Sequence, residues 1–184
     1  MKKINKYTKI VIIIIVLVFM FRGLIYRKLV FYNKIGKREN IRLINKDLVK
    51  IIDNRINHKI LNIDEIIKIT NEITSQQLSF SFNKTTSNPN EILKLKKANC
   101  IGYSSLFNTI GNYIIGKQKL TNKYEFIHLI GKIEVLNYDV HNLFDNAFFK
   151  NHDYNEIVNK KTHQKIFVDP SLYDYLRIKN VTSK

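Results

Sequence analysis

The chain holds one cysteine, Cys100, and no tryptophan in 184 residues. A single cysteine excludes an internal disulfide framework and any zinc site built on paired cysteines. Acidic residues are also scarce, 15 against 31 Lys and Arg, which leaves a net charge of +16. A balance of that kind suits a nucleic acid, an anionic lipid surface or an acidic polymer. Nucleic acid is not the expected partner. The lysines are scattered through an Ile- and Asn-rich sequence rather than gathered into one tract, and no nucleic-acid-binding signature is found. No internal repeat, no low-complexity tract and no carboxylate cluster of the calcium-loop type occurs. No cofactor or metal is called for.

What is present begins with Ile10 to Phe21, IVIIIIVLVFMF, an unbroken apolar run preceded by Lys2, Lys3, Lys6 and Lys9. A basic flank followed by an apolar stretch is the layout of an export signal. The run ends in Phe19-Met20-Phe21-Arg22 without the small residues of a cleavage site, so an uncleaved signal anchor is expected over residues 1–26. Tyr7 to Tyr26 is long enough to span a bilayer, with Arg22 reaching back to the interface. Arg22, Arg27, Lys28, Lys34, Lys37 and Arg38 beyond the run would hold the body in the cytoplasm by the positive-inside rule. The export-type signal argues the opposite, and the body is read as extracytoplasmic. Residues 27–45 read as a basic juxtamembrane linker or helix.

Apolar content is 45% over the whole chain, and residues 46–184, with Phe and Tyr as large core side chains, are enough for one globular domain. Leu48, Ile51, Ile52, Ile56, Ile63, Ile66, Ile67 and Ile73 fall at helical spacing and predict two helices. Asn62 and Glu65 mark the start of the second. Gln77 to Phe82 alternates as a short extended segment, and Asn83 to Asn90 is a polar loop. Glu91 to Lys97 forms helical turns. Asn99 caps a helix running to Gly116, which puts Cys100 in its first turn. Phe126 to Leu136, His152 to Asn159 and Lys165 to Asp169 read as strands, with an irregular connection over residues 139–151.

A thiol at a helix N-terminus gains from unpaired N–H groups and the helix dipole, which favour the thiolate. It needs an imidazole as proton shuttle, and His58, His128, His141, His152 and His163 are the candidates. A two-residue turn at Lys160-Lys161 would pair Val158 with His163, Glu156 with Lys165, Tyr154 with Phe167, and His152 with Asp169. The last pair is the arrangement in which a carboxylate orients an imidazole. The plain alternative is a hairpin with a polar pair at its base and a buried structural thiol.

The segments NCIGYSSLFNTI, HDYNEIVN and IFVDPSL, in that chain order, resemble the nucleophile helix, the His strand and the Asp strand of the transglutaminase-like superfamily. The resemblance covers roughly residues 60–175. It departs where the family often has Gly before the Cys region and Trp two residues after the His; here stand Ala98-Asn99 and Tyr154. The resemblance implies an α+β papain/transglutaminase-like core, with the nucleophile helix packed on an antiparallel sheet. It implies Cys100 as nucleophile, His152 as general base and acid, and Asp169 as orienting carboxylate. The implied activity is attack on an amide bond, peptide or glutaminyl, of a protein or peptide substrate through a Cys thioester, with hydrolysis favoured over amine transfer. The Cys100 N–H would serve as one oxyanion donor and the Ser79 to Phe82 segment as source of a second. The alternative is a catalytically inactive, membrane-tethered binding module on the same fold; oligomeric state is left open.

Overall fold

The computed structural model describes residues 5–83, 86–146 and 149–184. Lys2 and Lys3 of the basic flank, Lys84 and Thr85 of the polar loop, and residues 147 and 148 of the irregular connection lie outside the described residues.

Helix α1 (Lys6–Leu29) is the apolar run extended at both ends. It is 24 residues long, its most apolar 18-residue window has a mean hydropathy of 2.5, and none of its residues is buried. At about 1.5 Å per residue it is roughly 36 Å long, enough to cross a hydrocarbon core of about 30 Å. It passes into strand β1 (Val30–Lys37) with no intervening residue. Here the expectation of a linker or helix over residues 27–45 is corrected. Val30 and Tyr32 alternate inward and are buried, and β1 pairs antiparallel with β4 (Tyr124–Val135).

Helices α2 (Lys46–Ile56) and α3 (Ile63–Gln77) follow. Asn62 and Glu65 form a reciprocal capping box at the start of α3. Two-residue strands β2 (Ser79–Phe80) and β3 (Lys97–Ala98) pair in parallel around α4 (Pro89–Leu95). Helix α5 (Cys100–Lys117) then runs through the centre of the domain, between α3 and the sheet. Tyr103, Leu106, Phe107, Ile110 and Ile114 are fully buried, each worth about 1.5–3 kcal/mol in removed apolar surface. Gly111 permits the close approach of α5 to β4, because a Cβ there would fall 2.3 Å from the Phe126 ring.

The sheet is completed by β5 (Tyr138–Asp139), β6 (His152–Asn159), β7 (Lys165–Val168) and β8 (Thr182–Ser183), in the order β7-β6-β4-β1-β8 with β5 on β4. Helix α6 (Pro170–Leu176) lies between β7 and β8. Because β8 runs parallel to β1, the sheet is mixed rather than antiparallel, and the fold is α+β. One apolar cluster joins α2 to α5 to one sheet face through Phe126, Ile157 and Val168. A second, around Tyr32, Leu129 and Tyr154, covers the opposite face.

The β6–β7 register differs from the expected one. Asn155 pairs with Val168, Glu156 with Phe167 and Val158 with Lys165. The Asn159 side chain accepts from the amides of Lys161 and Thr162, and His163 adopts φ 58°, so four residues turn the chain instead of two. The slip is two residues, which keeps every side chain on its expected face. Tyr154 and Phe167 still stack with ring centroids 6.3 Å apart, and Lys165 still reaches Glu156 at 2.7 Å, now diagonally.

Candidate active site

Cys100 is the first residue of α5. The Asn99 side chain takes the amides of Ile101 and Gly102, and the Tyr103 amide bonds the Asn99 carbonyl. The thiol is buried. Gly102 is required there, since a Cβ would meet Ala98 at 2.6 Å and Ile92 at 2.8 Å. That contact seats the first turn of α5 on β3 and α4.

His152 opens β6 and Asp169 follows β7 as the N-cap of α6. The His152 Nε2 lies 2.7 Å from Asp169 Oδ2. The Cys100 sulfur is near enough to the imidazole to act on its protonation, and Nδ1 is the ring nitrogen that Asp169 leaves free. Burial opposes the imidazolium. The negative charge of Asp169, then the nearby Cys100 sulfur and the Asp169 hydrogen bond, still carry the His152 pKa well above its ordinary value. The structure thus brings Cys100, His152 and Asp169, the three residues expected from sequence, into one neighbourhood, with His152 bonded to Asp169 and Cys100 beside the imidazole.

Asp169 is unusually well provided with donors. Oδ1 accepts from the Ser171 amide at 3.0 Å, the Ser171 hydroxyl at 2.6 Å and the Leu172 amide at 3.1 Å. Oδ2 accepts from the Tyr32 hydroxyl at 2.9 Å besides His152. Burial pushes the carboxyl up, but His152 and these donors hold it below its usual range. Tyr32 is fully buried, and burial together with the Asp169 charge raises its pKa; the phenol stays protonated and donates. Its oxygen is 2.8 Å from the Tyr26 hydroxyl on α1.

A second histidine–carboxylate pair lies on the α5 side of the sheet. Buried His128 Nε2 is 2.7 Å from Asp153 Oδ2, and Arg38 bonds both Asp153 oxygens at 2.5 and 3.2 Å. His128 and Arg38 hold the Asp153 carboxyl down against the effect of burial. The Ser104 hydroxyl of α5 donates to the Asp153 carbonyl at 2.9 Å. The Ser104 bond ties the start of β6 to α5. Among the other histidines, His141 is buried against the Phe149 carbonyl, while His58 and His163 are exposed in turns of positive φ.

The expected second oxyanion donor is not supplied by most of Ser79 to Phe82. The Ser79 and Ser81 amides bond the carbonyls of Lys96 and Ala98, and the Phe80 amide bonds the Tyr175 hydroxyl. Among the described residues no three His, Cys, Asp or Glu side chains converge as a metal ion would require.

No family model, no curated protein and no solved structure matches this chain. A cavity of about 510 Å³ adjoins the site, lined by His152 and Asp169 and by Tyr26, Phe80, Ile133 and Leu172 among others. His152 is part of its lining and Cys100 is not. Tyr26, Tyr32 and Arg38 went unrecognised in the sequence. Only the inward alternation of Val30 and Tyr32 in the basic segment signalled a strand there.

Proposed function

We propose that the protein is a membrane-anchored cysteine enzyme of the transglutaminase-like type, acting on amide bonds with hydrolysis as the principal outcome. The observation that carries this is the Cys100–His152–Asp169 neighbourhood, assembled from a helix start and two strand ends far apart in the chain. The α5 helix packed on the sheet is compatible with a papain/transglutaminase-like core. In this reading α1 is the anchor and the body lies outside the cytoplasm.

The sulfur of Cys100, its proton held by His152, attacks the amide carbonyl. The Cys100 N–H, one of the unpaired donors at the start of α5, faces the developing oxyanion. As the C–N bond breaks, the leaving nitrogen takes the proton from His152. Water then gives a proton to His152 and attacks the thioester, releasing a carboxylic acid and the thiol. Asp169 keeps Nε2 protonated throughout and stabilises the imidazolium.

Iodoacetamide modification of Cys100 at pH 7 tests the proposal. His152→Ala is expected to slow it about a hundredfold, at the lower end of general-base effects. Equal rates in both proteins would leave a non-catalytic binding module on this fold as the correct reading. A membrane-impermeant maleimide applied to intact cells would report which side of the membrane the body occupies.

A further inference from the structure

The cavity beside His152 has walls of a particular kind. Phe80, Phe82, Ile133, Leu172 and Leu176 supply hydrocarbon. Its polar groups are Tyr26, Tyr32, Tyr175, His152, Asp169 and Ser171, and each is already engaged. Tyr26 bonds Tyr32, Tyr32 bonds Asp169, and Asp169 takes both His152 and Ser171. The Tyr175 hydroxyl takes the Phe80 amide at 2.9 Å. A peptide brings a donor and an acceptor with every residue, and each must be satisfied when buried. This cavity offers such a chain almost nothing. A hydrocarbon chain requires no partners.

Its position points the same way. Tyr26 belongs to α1, and the Arg22 side chain of α1 bonds the carbonyl of Leu176 at 2.5 Å. The cavity therefore sits at the root of the apolar helix, within about one helical turn of Arg22. Leu136, whose amide bonds the Leu29 carbonyl, is exposed beside that root, as are Tyr175 and Leu176. An exposed apolar collar around a spanning helix is a surface for lying against lipid.

The side of the reaction follows from which residue the cavity touches. It meets His152 and not Cys100. In acyl transfer the imidazole exchanges its proton with the nitrogen that leaves or arrives, so the space next to it houses the amine component. We propose that this cavity binds the long hydrocarbon chain of a primary amine, or of the amide it forms, delivered from the membrane surface. The inference rests on the acyl-transfer reading above. In the accepting direction the amine nitrogen attacks the Cys100 thioester, the C–S bond breaks as the C–N bond forms, and His152 takes one proton from nitrogen; the products are an amide and the free thiol. The leaving direction is the reverse.

The test uses the full chain in lipid nanodiscs, with p-nitrophenyl acetate to form the acetyl-enzyme. Turnover is followed with N-butylamine, N-dodecylamine and leucyl-leucinamide as acceptors, and the amide products are identified by mass spectrometry. N-dodecylamine is expected to resolve the acetyl-enzyme at least about tenfold faster than N-butylamine, given the apolar area it buries. Leu172→Trp, which fills the cavity, and Leu176→Asp, which charges its mouth without burying a new group, should each bring that ratio towards one. Comparing ratios within the same nanodiscs cancels partitioning of the amine into lipid. Hydrolysis of N-dodecylacetamide would identify an amide lipid as source, and capture of the amine alone a free membrane amine. A His152-dependent acetylation burst with no chain-length preference, a preference untouched by both variants, or equal gain by leucyl-leucinamide would overturn the inference and leave the catalytic reading intact. Absence of the burst would overturn both.

Discussion

Asp169→Asn is nearly isosteric, yet it reverses the hydrogen-bond sense at one oxygen. The retained carbonyl continues to accept from Ser171 and Leu172, and Asn is as good an N-cap as Asp, so α6 keeps its start. The new NH2 faces His152 Nε2 and the Tyr32 hydroxyl, both of which donate to the native carboxylate. His152 can accept from that NH2 only by giving up the proton on Nε2 and carrying it on Nδ1. A ring in that tautomer has no lone pair for the Cys100 proton. Two charge-assisted bonds are lost, each worth about 1.5–3 kcal/mol, and the new His152 contact recovers part. A net loss of about 3 kcal/mol corresponds to a fall in Tm of roughly 6–12 °C for a domain of this size. Modification of Cys100 by iodoacetamide at pH 7 should slow about a hundredfold. Mass spectrometry of the labelled protein gives the rate and circular dichroism the melt. Labelling at the native rate in a variant whose Tm has fallen would refute the reasoning, and would reduce Asp169 to a helix cap.

The His152–Asp169 pair also sets a pH window for stability. The His152 pKa is raised on folding, so its contribution is complete below about pH 6.5 and fades as pH rises through the folded value; that of Asp169 is lowered, so its contribution is complete above about pH 4 and is lost as pH falls through the folded value. Melting curves should therefore plateau between these limits, and His152→Gln should flatten the alkaline limb. Asp153→Ala leaves buried His128 and Arg38 without their shared carboxylate and should cost about 3–5 kcal/mol in chemical denaturation, while the folded fraction retains His152-dependent labelling. Gly111→Ala should cost about 1–3 kcal/mol through overpacking against Phe126, measurable by urea unfolding.

Local signals were legible where the chain contacts itself nearby. The caps at Asn62 and Asn99 are read from residues one to three positions away, and both start helices where expected. Side-chain faces in the β6–β7 hairpin survived a two-residue error in register because facing alternates with period two. Contacts of long range were not legible. Tyr32 meets Asp169 across 137 residues, and no local pattern announces such a partner. Strand β1 was hidden because its outer residues are basic and because it begins directly after the apolar helix, so the two periodicities run together. Strand β8, at two residues, is too short to carry a pattern.

The direct passage of α1 into β1 has a consequence for the order in which the chain folds. Strand β1 is the first piece of the sheet to be synthesised, but its neighbours are β4, near residue 130, and β8, at Thr182–Ser183. Pairings so distant in sequence are slow to form, because loop-closure entropy is lost before any contact repays it. Until then β1 shows two unpaired edges, a template for other extended chains. The Lys184 amide, bonded to the Tyr32 carbonyl at 3.0 Å, helps to close the second of these edges. Removal of Val181–Lys184 would leave one edge of β1 open, and dimerisation or aggregation through that edge is the expected result.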